Sequence, residues 1–179
     1  MLFHPSRFVV LCAAILLSAC ASSRSLDQSF SDISGNAELK AVLFTDRSHD
    51  YSDIDITLYE GRLMLTGTMR SEEGRRQLIA NAWKAENVKT VIDEIIIAEK
   101  TSFGQGFEDS RIDQTLRARL IADNDVSSGD YKMSVSRAVV YLLGGARNQG
   151  ELDEAVKLAR SVNGVEKVVS HVVVRDLTK

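Results

Sequence analysis

Two tandem α+β domains, each a two-layer sandwich of order αββαβ, are predicted by three observations. The chain repeats itself, each copy holds two alternating segments joined by a tight turn, and helical apolar spacing flanks each pair. The repeat appears when the sequence is slid against itself by 77 residues. Leu39 then falls on Leu116, Leu43 on Leu120, Gly67 on Gly144, Arg70 on Arg147, Ala82 on Ala159, Val88 on Val165 and Val91 on Val168. One constant offset carries the apolar pattern from the first helix to the last strand. The division that follows is a leader at 1–19, a tether at 20–34, a first domain at 35–100, a connector at 101–107 and a second domain at 108–176.

Within the first copy, Ala37 to Phe44 places Leu39, Val42 and Leu43 on one helical face; in the second, Asp109 to Ala122 does the same with Ile112, Leu116 and Leu120. The segments Ile54–Leu58 and Leu63–Gly67, joined by Glu60-Gly61-Arg62, alternate with period two and predict a β-hairpin with one face buried. The second hairpin is Lys132–Ser136 and Val139–Leu143, with Arg137-Ala138 where a glycine turn is expected. Helices follow over Ser71–Ala85 and Asn148–Val162, the latter opening on a capping Asn148 and stopping at Asn163-Gly164. Val88–Ala98 and Val165–Val174 supply a third strand to each copy, giving a small mixed sheet with two helices on one face. The connector, Thr101 to Phe107, carries two glycines and reads as a hinge.

The residues ahead of the repeats obey a different logic. Arg7, the apolar run Phe8–Leu17 and the small residues after it have the layout of an export signal, and the run is far short of the ~20 residues a spanning helix needs. Leu17-Ser18-Ala19-Cys20 resembles the lipobox of bacterial lipoproteins. That resemblance implies diacylglyceryl attachment to Cys20, cleavage before it and acylation of the new amine. Several acyl chains make a stable anchor, since each buried CH₂ contributes ~0.8 kcal/mol. Ala21 follows the cysteine in place of an inner-membrane retention aspartate, which favours the outer membrane. Cys12 falls in the leader and Cys20 is consumed as the anchor, so no disulfide is expected. From Ala21 to about Ser34 the chain is small and polar, as a tether would be.

Duplicated stretches carry a more specific likeness. LMLTGTMRSEEGRRQLIANAWKAENVKTVIDEIII and VYLLGGARNQGELDEAVKLARSVNGVEKVVSHVVV share a Val-x-Leu-x-Gly-like strand, an alanine-bearing helix and a Val-x-x-Val strand. This resembles the BON domain of bacterial envelope proteins, and behind a lipobox it resembles the dual-BON outer-membrane lipoproteins. Asn87 stands where the first copy would ordinarily have glycine, and asparagine tolerates the left-handed conformation such a turn needs. The resemblance implies a non-enzymatic, lipid-anchored protein on the periplasmic face of the outer membrane. Its second domain would bind anionic phospholipid and support outer-membrane integrity. The other class of function is an adaptor that docks envelope enzymes or assembly machinery and touches the membrane only through its anchor.

Charge fits these expectations loosely. After the leader there are 21 basic and 25 acidic residues, so a nucleic-acid partner is not expected. Residues 21–107 hold 10 basic and 14 acidic groups, and residues 108–179 hold 11 of each, so an anionic surface repels the second domain less. Candidate phospholipid contacts are Arg147, Lys157, Arg160 and Lys167, around the second domain's later helix. Cofactor and metal ligands are not expected. His49 and His171 lack a partnered nucleophile, and the Asp123–Asp130 run has serine at the sixth and twelfth positions where a calcium loop needs glycine and glutamate. His49 is expected in a solvated loop, His171 outward on a strand, and Trp83, on the first domain's later helix, as a packed or domain-contact residue with a membrane-interface role as the alternative.

Overall fold

The computed structural model describes residues 48–175. The leader, Cys20, the tether and the expected helix over Ala37–Phe44 lie outside them.

In the first copy, β1 (Ile54–Tyr59) and β2 (Arg62–Met69) form an antiparallel hairpin, α1 (Glu72–Ala82) crosses over, and β3 (Thr90–Ile97) returns parallel to β2. The second copy opens on α2 (Phe103–Ala122) and continues through β4 (Tyr131–Ser136), β5 (Val139–Ala146), α3 (Gln149–Arg160) and β6 (Lys167–Val174). Each sheet is mixed and three-stranded, with the hairpin's second strand in the centre. Ser71 caps α1 by accepting from the Gly74 amide, and Asn148 caps α3 by accepting from Glu151. Asn87 and Gly164, equivalent by the repeat, both take positive φ, at 65° and 91°.

Two expectations are corrected and one is explained. First, residues 103–107 are helical, so α2 begins six residues before Asp109. Ser102 caps it by accepting from the Gln105 amide, which outweighs the low helix propensity of Gly104 and Gly106.

The second hairpin turns at Arg137-Ala138 as expected, as tightly as its glycine-bearing counterpart and without a glycine. Glu60 and Gly61 have φ of 51° and 79°, Arg137 and Ala138 of 52° and 63°, so both are two-residue turns of the left-handed kind that match strand twist. What holds Arg137-Ala138 there is a buried carboxylate. Asp109 of α2 accepts from the Arg137 amide at 2.8 Å and the Ala138 amide at 2.9 Å.

The hairpins, expected to bury one face, bury both. One face of the second sheet packs under α2 and α3, joining Ile112, Leu116, Val140, Leu142, Ala155 and Ala159. The same face of the first packs under α1 through Leu63, Leu65, Leu78 and Ala82. The opposite faces meet each other over Tyr59, Met64, Tyr141 and Leu143, with Ile92, Val139 and Val169 around them. Polar groups border this contact. Thr66 and Ser134 share a 2.7 Å hydrogen bond, and Glu94 pairs with His171 at 2.8 Å. Arg62 donates to the carbonyls of Gly144 and His171, and Arg175 bonds the Tyr59 hydroxyl and the Glu60 carboxylate. His171 therefore ties the two domains together instead of facing water.

Candidate functional site

A 20-residue helix on a three-stranded sheet must leave part of its length uncovered. α2 buries Asp109, Ile112, Leu116 and Leu120 at helical spacing. Its opposite side starts with Phe103 at 93 % exposure and Phe107 at 63 %, one turn apart, and ends with Ile121 at 67 %. Solvated helix faces ordinarily carry charge, so two aromatic rings one turn apart in water are a surface made for contact. Cations stand beside this stripe but are engaged. Arg111 pairs with Glu108 and donates to the Asn163 carbonyl, and Arg117 pairs with Asp113 on the same helix.

The four basic candidates do not converge. Arg147 precedes α3, whereas Lys157 and Arg160 lie in its last turn, roughly three to four helical turns away at 5.4 Å each. Arg147 is also committed elsewhere. Its Nε lies 2.8 Å from the buried Glu151 carboxylate, and its Nη2 donates to the Asp125 carbonyl. The Glu151 hydrogen bond raises the Arg147 pKa above its ordinary value. Glu151 further accepts from the backbone amides of Ser127 and Arg147, at 2.7 and 2.8 Å. Burial acts to raise its pKa, but these three donors together bring it below the ordinary carboxylate value. Lys157 pairs in the open with Glu154, which raises its pKa. Arg160 and Lys167 are exposed, with no ion pair among the described residues.

The first copy builds the Glu151 position differently. Gly74 is its equivalent, and a Cβ there would lie 2.9 Å from the His49 ring. His49 thus packs on the helix start and meets Tyr51 edge-on at 6.2 Å instead of lying free in a loop. Trp83, expected to be packed, caps the end of α1 and is 53 % exposed. Phe103 and Phe107 were legible as aromatics but not as a site, because a connector has no face and only a helix places them on one side.

Among the described residues no helix is long and apolar enough to cross a membrane, and no group of three or more His, Cys, Asp or Glu is placed to hold a metal.

Comparison with known proteins places this architecture. The chain is 33 % identical over 123 residues to a protein of the gshII 5' region of Anaplasma centrale, covering 68 % of this chain and 82 % of that one. It is 32 % identical over 119 residues to the 21 kDa hemolysin of Actinobacillus pleuropneumoniae, covering 65 % and 59 %. It is 28 % identical over 116 residues to the outer membrane lipoprotein DolP of Haemophilus influenzae, covering 65 % and 60 %. The chain thus spans about six-tenths of the last two relatives. The BON domain model matches twice, over residues 36–99 and 108–176. The chain belongs to the BON-domain family and carries that domain in tandem.

Proposed function

We propose that the protein is a non-enzymatic lipoprotein of the outer membrane's periplasmic face, anchored through acylated Cys20. Its second domain binds anionic phospholipid, and the protein supports outer-membrane integrity. The observation that carries the lipid reading is the outward stripe of α2, with Phe103 and Phe107 in solvent. The relative named as an outer membrane lipoprotein and the Leu17-Ser18-Ala19-Cys20 sequence support the location. In this reading the anchor brings the second domain to the bilayer and the two phenyl rings enter the headgroup boundary. Arg160 and Lys167 add long-range attraction at ~1 kcal/mol per cation near the surface, and Lys157 contributes less because Glu154 already meets its charge. Arg147 contributes less, because its charge is already met by Glu151.

The two sources of binding separate experimentally. Burying a phenylalanine side chain contributes ~1.5–3 kcal/mol, and ~1.4 kcal/mol is tenfold in affinity. Phe103→Ser with Phe107→Ser in the unlipidated chain from Ala21 is expected to weaken sedimentation with phosphatidylglycerol vesicles by at least about tenfold. Replacing Arg147, Lys157, Arg160 and Lys167 with glutamine is expected to reduce binding less, and mainly at low salt. If the aromatic variant sediments like the wild type while the glutamine variant does not, the basic surface is the site. If the wild type itself fails to sediment at low salt, the lipid reading falls and the adaptor reading stands. For the anchor, Cys20→Ala is expected to yield an unprocessed precursor without acyl mass by mass spectrometry. A wild-type chain that begins beyond Cys20 would refute anchoring there.

A further inference from the structure

A groove of about 710 Å³ runs between the two domains along a flank of α2 that adjoins its aromatic stripe. Its walls are two sheet edges, β1 and β4, neither of which has a second strand neighbour among the described residues. The two-residue turns fix which groups point into it. Tyr59 faces Arg62 and Ser136 faces Val139 as the closing hydrogen-bonded pairs. By alternation, Ile56 and Leu58 direct their amides and carbonyls away from β2, and Met133 and Val135 direct theirs away from β5. All four residues line the groove.

The Ile56 amide is turned onto the Asp55 carboxylate at 3.1 Å, whereas β4 lines the groove continuously from Lys132 to Ser136. Charge is uneven. Asp53, Asp55 and Asp113 stand with Arg117 and Lys132, three carboxylates against two cations, besides Asp109, whose buried oxygens are engaged with the turn. An extended segment spaced at about 3.3 Å per residue would run five or six residues along β4. Its main chain could pair with an edge, and its alternate side chains would point at acidic walls.

We propose that this groove is a docking site for an extended, lysine- or arginine-bearing segment of a partner protein, which adds as a strand to the free edge of β4. Phe103 and Phe107 are not among the lining residues, but Ser110, Gln114 and Arg117 of the lining adjoin the aromatic stripe along α2, so a partner in the groove would lie next to the lipid surface. The occupant is basic because the walls are acidic, and it is a strand because the wall is an unpaired strand edge at its full length.

The probe is a synthetic nonapeptide alternating lysine with valine, titrated against the unlipidated chain from Ala21. Amide exchange followed by NMR is expected to slow at Met133 and Val135. The Asp55→Lys, Asp113→Lys variant, whose two sites lie outside the apolar clusters, is expected to bind at least about tenfold more weakly, one lost charge pair being worth up to ~1 kcal/mol. Phe103→Ser with Phe107→Ser is expected to leave peptide binding unchanged, which keeps this result distinct from the lipid test. No binding at millimolar peptide overturns the proposal, as does slowing at the β3 or β6 edge instead. Exchange already slow at Met133 and Val135 in the free chain also overturns it. Dilution would then tell whether a second copy or the chain's own N-terminal segment fills the groove.

Discussion

Gly144→Ala is expected to destabilise the second domain by about 3 kcal/mol or more, and Gly67→Ala to do the same in the first. The two glycines occupy equivalent positions in the central strands, and neither is there for flexibility. A Cβ on Gly144 would sit 2.1 Å from the Asp130 carbonyl oxygen, and one on Gly67 2.0 Å from that of Asp53. Those atoms belong to the backbone entering the edge strand, so relief requires the hairpin itself to move. Gly67 also has φ of 113°, a region that side chains rarely adopt. Urea denaturation gives the measurement, and Gly106→Ala provides the contrast. That glycine lies within α2 with nothing near its missing Cβ, so alanine should stabilise by up to ~1 kcal/mol. Stability of Gly144→Ala within ~0.5 kcal/mol of the wild type would show that the strand entry is not fixed as described.

Glu151→Ala is expected to cost about 2–3 kcal/mol, because a buried acceptor of three hydrogen bonds disappears and the Ser127 and Arg147 amides lose their partner. Glu151→Gln tests the charge alone. The folded-state pKa of Glu151 lies below its ordinary value, so its contribution is fully present above the unfolded-state value, near 4.3. It is lost as pH falls through the lower folded value. The wild type should therefore lose stability from about pH 5 downward, and Glu151→Gln should start less stable and fall less steeply over the same range. Parallel curves for the two proteins would mean that Glu151 is not the titrating group.

The order of elements was legible because each is local. Ser71 and Asn148 announce helix starts, alternation announces the hairpins, and the offset of 77 residues repeats the message. What stayed hidden depended on distant partners. Arg137-Ala138 looked like a poor turn until Asp109, 28 residues earlier, supplied its acceptor. Leu63-Met64-Leu65 and Tyr141-Leu142-Leu143 are unbroken apolar runs, which signal strands covered on both sides, yet only the fold shows that the second cover is the other domain. The aromatic stripe of α2 was hidden by Gly104 and Gly106. The Arg147 charge looked available because its buried acceptor sits one helical turn away and is itself charged.

The pairing of Glu94 with His171 has a geometric meaning. These residues are 77 apart, the repeat distance, so they hold the same position in the two copies. Met64 and Tyr141, and Ile92 and Val169, are equivalent pairs in the same contact. Residues touch their own counterparts only close to a two-fold axis, as in the self-complementary interface of a homodimer. The chain is in this sense a dimer written on one strand. Its subunits cannot part on dilution, since the link holds them at a high effective concentration. Nor must they stay alike. One half is free to keep Gly74 under His49 while the other acquires Glu151 and an aromatic helix, an asymmetry that no true homodimer can encode.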